Sequence, residues 1–177
     1  MVDKKLGGAG LRGQSAGETS LCTVGVSGTG LTYRGYDITD LAANTTFEEV
    51  AFLIFHGHLP DVSELAGYKK KLKENRELPG ALVEVLEKVP ASAHPMDVMR
   101  TGCSMLGNLE PEGDFSNQQE VADRLLGALP GIINYWYRFS HDGVRIETST
   151  DEDSMAGHFL RTLKGDSPSE LERKVMD

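Results

Sequence analysis

The chain has little of what would tie it to a membrane, an oxidising compartment or a nucleic acid. No apolar run approaches the roughly 20 residues needed to cross a bilayer. The opening MVDKKLGGAG carries charge but neither an apolar h-region nor a cleavage site. Cys22 and Cys103 are the only cysteines among 177 residues, far apart and outside any Cys-x-x-Cys motif. That excludes a disulfide framework and suits buried or half-buried free thiols. Cations are outnumbered, with 18 Lys and Arg against 27 Asp and Glu, leaving a formal charge of −9. A phosphate backbone demands a basic face, so neither nucleic acid nor a membrane is an expected partner, and the cytoplasm is the expected location. An anionic ligand would have to be held by a few local cations against an unfavourable mean field.

What is present is the composition of one soluble globular domain, 39% hydrophobic and 25% charged, long enough to bury a real core. Residues 1–19 (with GGAGLRGQSAGET) are rich in Gly and poor in apolar side chains, predicting a flexible arm. Two short β-like runs, Ser20–Val24 and Leu31–Tyr36, flank GVSGTG, whose glycines suit a hairpin turn.

From there the periodicity is helical. Thr46 with Glu49 forms a capping box ahead of Phe47, Val50, Leu53 and Ile54. Asp61 with Glu64 opens a second helix carrying Leu65, Tyr68 and Leu72, and Leu82, Val85, Leu86 and Val89 mark a third, closed by Pro90. Pro95 at a first-turn position begins a fourth, with Met96, Met99, Cys103 and Leu106 in one stripe. Ser116 and Gln119 are the expected caps of the longest helix, whose stripe runs from Val121 to Phe139. Pro130 in its middle predicts a kink or break. Thr150 is the expected cap of the next helix. Ser167–Pro168–Ser169–Glu170 opens the last, with Ser167 as cap. Only about two turns follow before Asp177, with no capping residue, so that helix is expected to continue beyond the sequence given.

Few local motifs carry chemistry. GVSGTG leads into a strand and lacks a Walker lysine, which disfavours a phosphate loop. His56-x-His58 stands at a helix end without the third and fourth ligands of a zinc site, and no metal is expected. His94 suits an N-cap or a packing residue rather than a base. Lys69, Lys70, Lys71 and Lys73 point in different directions on a helix, so most are solvated, and Lys71 is the one retained as a binding candidate. Arg34 suits a structural cation for a carboxylate or backbone carbonyls, and Arg12 sits in the Gly-rich arm.

These weak signals cohere through resemblance. LTYRGYDITDL (Leu31–Leu41), HPMDVMRTGCSMLG (His94–Gly107) and YWYRFSHDG (Tyr135–Gly143) occur in an order and spacing similar to the opening portion of the citrate synthases, from about Gly10 to Asp177. AHPMDVMRTG and GHFLRTLKGDSPSE resemble the propionate-handling, methylcitrate-forming branch more than the ordinary one. The resemblance implies an all-α fold of citrate synthase-like large-domain helices with a small N-terminal β-hairpin. Residues 20–177 would be the N-terminal part of that large domain. It further implies a homodimer that condenses propionyl-CoA with oxaloacetate and water, releasing free CoA, with acyl-CoA as substrate and no cofactor.

In that family an aspartate takes the α-proton of the thioester, one histidine stabilises the enol and another polarises the ketone. All three lie beyond the point corresponding to Asp177, so none of the five histidines here takes a catalytic role and the chain alone is expected to be inactive. Two matching positions imply binding roles, CoA for Arg12 and substrate for Lys71. Arg138 stands one residue out of register with another CoA-contacting arginine and is not carried over. An ordinary citrate synthase using acetyl-CoA, and a non-catalytic helical interaction module, remain the alternatives.

Overall fold

A computed structural model describes residues 17–25 and 30–177. Arg12, most of the expected arm and the middle of GVSGTG lie outside the described residues. Strand β1 (Cys22–Val24) pairs antiparallel with β2 (Leu31–Tyr33), Cys22 opposite Tyr33 and Val24 opposite Leu31. The hairpin is extended by a third strand, β3 (Tyr36–Asp37), where the sequence reads as one run to Tyr36. The chain reverses at Arg34 (φ 49°) and Gly35 (φ 92°), two successive left-handed residues whose twist suits a tight hairpin. Arg34 tolerates this because its guanidinium is anchored. Its Nε and Nη2 donate to the Ile54 carbonyl at 3.2 and 2.7 Å, and Nη1 donates to Ser20 Oγ at 2.7 Å. The expected structural cation thus ties the sheet to the helix that ends beside Ile54.

Eight helices follow among the described residues. Helix α1 (Ile38–Asn44) is capped by Asp37, and α2 (Phe47–His56) by the Thr46–Glu49 box, ending at left-handed Gly57. Helix α3 (Val62–Glu74) has the Asp61–Glu64 box, and α4 (Gly80–Leu86) follows Pro79. Helix α5 (Pro95–Leu109) is capped by His94, whose Nδ1 accepts from the Met96 amide at 3.2 Å. Helices α6 (Gln118–Asp142), α7 (Met155–Lys164) and α8 (Glu170–Met176) complete the fold. No helix among the described residues is long and apolar enough to cross a membrane.

Three helix starts differ from the sequence reading, each because a hydroxyl found another partner or the chain arrived differently. Ser116 lies in a 3₁₀ turn (Phe115–Asn117), capped by Asp114, that runs straight into α6 without a side-chain cap. Ser154, not Thr150, caps α7 and accepts from the Gly157 amide at 3.0 Å, since Thr150 Oγ1 is drawn inward to His158. Ser169, not Ser167, caps α8 in a full box with Glu172, while Ser167 Oγ accepts from Arg161 at 3.1 Å. Helix α6 also passes through Pro130 without a break. Proline removes one backbone donor, and α6 is packed by α3, α4, α5 and α7, which supports the continuous helix across the missing bond.

The larger core joins α4, α5 and α6 through Leu82, Leu86, Val98, Leu106, Ile132 and Trp136. The stripe expected on α5 is turned: Val98, Gly102 and Leu106 are buried, whereas Met96 is 69% exposed. Gly102 explains the rotation. A Cβ there would stand 2.4 Å from Ile132 Cγ2, so the glycine face is where α6 approaches, and hydrophobic periodicity does not register glycine. A smaller cluster of Ala51, Phe52, Tyr68, Leu72 and Met155 joins α2, α3 and α7. Cys22 and Cys103 are half-buried free thiols.

Candidate functional site

Lys71 points from α3 toward α6, where its Nζ lies 2.7 Å from Asp123 Oδ2 and 2.9 Å from Glu120 Oε1. Asp123 is fully buried and also accepts from the Tyr68 hydroxyl at 3.2 Å and from Gln119 Nε2 at 3.3 Å. Burial works against the ammonium, but the hydrogen bonds to Asp123 and Glu120 outweigh it and hold the Lys71 pKa above the ordinary lysine value. Burial, then the neighbouring Asp123 charge, raises the Tyr68 phenol in turn. The rest of the lysine run disperses as helical geometry requires. Lys70 pairs with Glu74 one turn on, and Lys73 reaches Asp151 at 3.3 Å. His56 stacks on Phe52 with ring centres 4.0 Å apart, and His58 Nε2 lies 3.2 Å from Glu64 Oε1.

A cavity of about 690 Å³, lined by Arg138, Glu147, Thr150, Glu152, Arg161 and Ser167 among others, opens between the 143–154 loop and the C-terminal half of α7. Arg138 closes the end of α7 by donating from Nη1 to the Leu163 and Lys164 carbonyls at 2.9 and 3.1 Å, with Asp142 3.0 Å from its Nε. A cation at a helix C-terminus also complements the macrodipole.

Beneath the rim of this cavity lies a buried polar group that the sequence did not reveal. Arg76 is 1% exposed. Its Nη1 donates to the Thr150 and Glu152 carbonyls at 2.9 and 2.6 Å, and its Nη2 to the Ser154 carbonyl at 3.3 Å. Glu48, also 1% exposed, accepts from the Met155 amide at 2.6 Å. Arg76 and Glu48 therefore grip the two ends of one peptide unit, the one that starts α7. Glu152 is held in place by Arg173 of α8 at 2.9 and 3.0 Å. Gly157 makes room for that pair, since a Cβ there would meet Glu152 Oε2 at 2.8 Å. His158 Nδ1 lies 3.0 Å from Thr150 Oγ1. Burial, then the Arg76 charge, pushes the imidazole down to about 3, so the ring is neutral near pH 7.

This arrangement positions backbone rather than reacting groups. Thr150 and His158 touch, but an imidazole that protonates only near pH 3 is a poor base, and the same hydroxyl faces Arg76 Nη1 at 3.4 Å. Arg76, in KENRELPG, and Glu48, one of two acids in a helix start, carry no sequence signal of burial. Their role follows from three distant segments meeting. Among the described residues no group of three or more His, Cys, Asp or Glu is placed to hold a metal ion.

Comparison with known proteins gives this scaffold its context. Residues 10–177 match the family model for "Citrate synthase, C-terminal domain". The 2-methylcitrate synthase of Shewanella oneidensis is 70% identical over 174 residues, covering 98% of this chain and 46% of that protein. The citrate synthase structure from Thermotoga maritima shares 29% identity at a TM-score of 0.77, over 93% of this chain and 43% of that one. The Thermoplasma acidophilum enzyme, solved with carboxymethyl coenzyme A and oxaloacetate, shares the fold at a TM-score of 0.83 and 21% identity, over 93% and 44%. The chain thus spans about half the length of the relatives it matches. Helix order, the small N-terminal sheet and a match over residues 10–177 agree: the chain belongs to the citrate synthase family.

Proposed function

We propose that this chain is the N-terminal part of an enzyme that condenses propionyl-CoA with oxaloacetate and water to give 2-methylcitrate and CoA. The observation that carries the reading is the 70% identity to a 2-methylcitrate synthase across 98% of the chain. The α-proton of a thioester is too weakly acidic for a bare carboxylate, so a positioned donor must meet the developing enolate. That base and those donors belong to the remainder of the enzyme, and the 177 residues alone release no CoA. The assembly is a cytoplasmic homodimer, with residues 1–19 as an arm and 20–177 as the first part of the large domain.

Within this reading Arg12 contacts a CoA phosphate and Lys71 a substrate anion. Lys71 reaches such an anion when Glu120, 69% exposed, swings aside, since Asp123 is fixed in the interior. The whole enzyme, assayed for thiol release, is expected to favour propionyl-CoA over acetyl-CoA by about 10-fold or more in kcat/KM. One methylene is worth about 1–3 kcal/mol of discrimination. A preference for acetyl-CoA overturns the substrate. In the same assay Arg12→Ala raises KM for acyl-CoA with kcat retained, and an unchanged KM removes Arg12 from the site.

A further inference from the structure

We infer that Glu48, Arg76 and His158 enclose a binding site for internal water at the first turn of α7. Three buried polar atoms there lack partners. Glu48 Oε2, Arg76 Nε and His158 Nε2 are all sealed from solvent and hydrogen-bond to no protein atom. The three residues are at most 1% exposed and come from α2, the α3–α4 junction and α7. A buried polar group left unpaired gives up its hydration with nothing in return, and three in one region are too many for a stable fold to carry unmet.

The three side chains converge on one short stretch of backbone. Arg76 and His158 share the Thr150 hydroxyl, at 3.4 and 3.0 Å. Arg76 and Glu48 hold the Ser154 carbonyl and the Met155 amide of a single peptide unit. Their charges are also close enough to couple, Glu48 being the carboxylate that most favours the charged form of Arg76.

The chemistry of the three atoms selects the ligand. Glu48 Oε2 accepts and Arg76 Nε donates. With His158 donating from Nδ1 to Thr150 Oγ1, its Nε2 accepts. A water molecule gives its two protons to Glu48 Oε2 and His158 Nε2 and receives one from Arg76 Nε, which makes the three hydrogen bonds usual for buried water. A small anion is repelled by the carboxylate. A metal ion is repelled by the guanidinium and lacks a third ligand among the described residues. The water serves as a positioning element, completing the polar seat that fixes the start of α7 and the Thr150–Glu152 rim of the large cavity.

Two measurements on the whole enzyme test this. In a crystal structure a density peak is expected about 3 Å from at least two of the three atoms. A direct contact between Arg76 Nε and Glu48 Oε2, or nothing between the atoms, overturns the proposal. Nitrogen-15 NMR of the ring is expected to show His158 as the Nδ1–H tautomer, with cross-relaxation from water to its ring protons, whereas an Nε2–H tautomer or no water contact overturns it. For the positioning role, Glu48→Gln keeps an acceptor but weakens the hold on the Met155 amide. Hydrogen exchange at Met155 and Gly157 should quicken at least 10-fold while the α5 amides stay unchanged, and equal rates at both places refute the role.

Discussion

Two seams hold this molecule together by opposite means. Where α5 crosses α6, contact is dry: Val98, Leu106 and Ile132 interlock, and Gly102 lets the helices close to side-chain contact. Where α7 begins, contact is made by charged groups, an ionic seam: Glu48 accepts from the Met155 amide, Arg76 donates to the Glu152 carbonyl, and Arg173 of α8 pairs with the Glu152 carboxylate. The dry seam gains from every apolar atom removed from water and tolerates modest reshaping. The ionic seam gains little from any one pair, because desolvation offsets attraction, and it fails when one member is lost. The first supplies bulk stability, and the second fixes where a particular turn of backbone sits.

The largest effect should come from breaking the ionic seam on one side. Glu48→Ala leaves the Met155 amide without its acceptor and the buried Arg76 charge without the carboxylate that most favours it, and is expected to cost about 3–5 kcal/mol in urea unfolding. Glu48→Leu combined with Arg76→Met should cost less than either single change, and an additive double mutant would show the two to be independent. In the apolar core that contains the dry seam, Leu82→Ala on α4, at a fully buried position, should cost about 2–5 kcal/mol, and Gly102→Val about 1–3 kcal/mol by overpacking against Ile132. Trp136, the single tryptophan, lies in this seam with its indole donating to the Val89 carbonyl at 3.2 Å, so its fluorescence reports on both variants.

Between these extremes stands the α3–α6 contact. Lys71→Met strands Asp123 in the interior and should cost about 2 kcal/mol, less than a fully buried pair because the ammonium is partly exposed. Asp123→Asn should restore most of the loss. If it does not, Lys71 does not act through Asp123.

Acid separates the two seams further. The unfolded chain takes up a proton on His158 below the ordinary value of 6.5, but the folded ring resists until about 3. The contribution is complete above pH 6.5 and is lost as pH falls from there toward 3. Urea midpoints should decline across that window in the native protein and in Leu82→Ala alike, and decline less in His158→Gln. Equal slopes in all three would mean that His158 is not the titrating group. The smallest change expected is at the cap of α8, where Ser169→Ala should cost about 1 kcal/mol, measured as earlier loss of helicity on heating.

How much of this was legible in the sequence depended on the kind of residue. Capping boxes at Thr46 and Asp61 and the His94–Pro95 start read correctly, because a cap joins residues only two or three apart. Thr150 and Ser167 misled because their hydroxyls turn to partners 8 and 6 residues away in sequence. The α5 stripe misled because its decisive member is a glycine. The sequence set Lys71 apart only as a binding candidate, and the partners that it meets in the structure, Asp123 and Glu120, were not legible because they lie on another helix.

The sequence by itself determined the order of the helices from α2 onward, three of their starting points, the small N-terminal sheet and the family, since each depends on neighbours along the chain or on a long run of matching residues. Tertiary structure alone decided which face of α5 is inside, which charges are buried, and that Arg76, Glu48 and His158 meet beneath one turn. Burial of a charge is set by what packs over it, and here the covering segments lie some 70 or more residues from Arg76 and more than 100 from Glu48 along the chain.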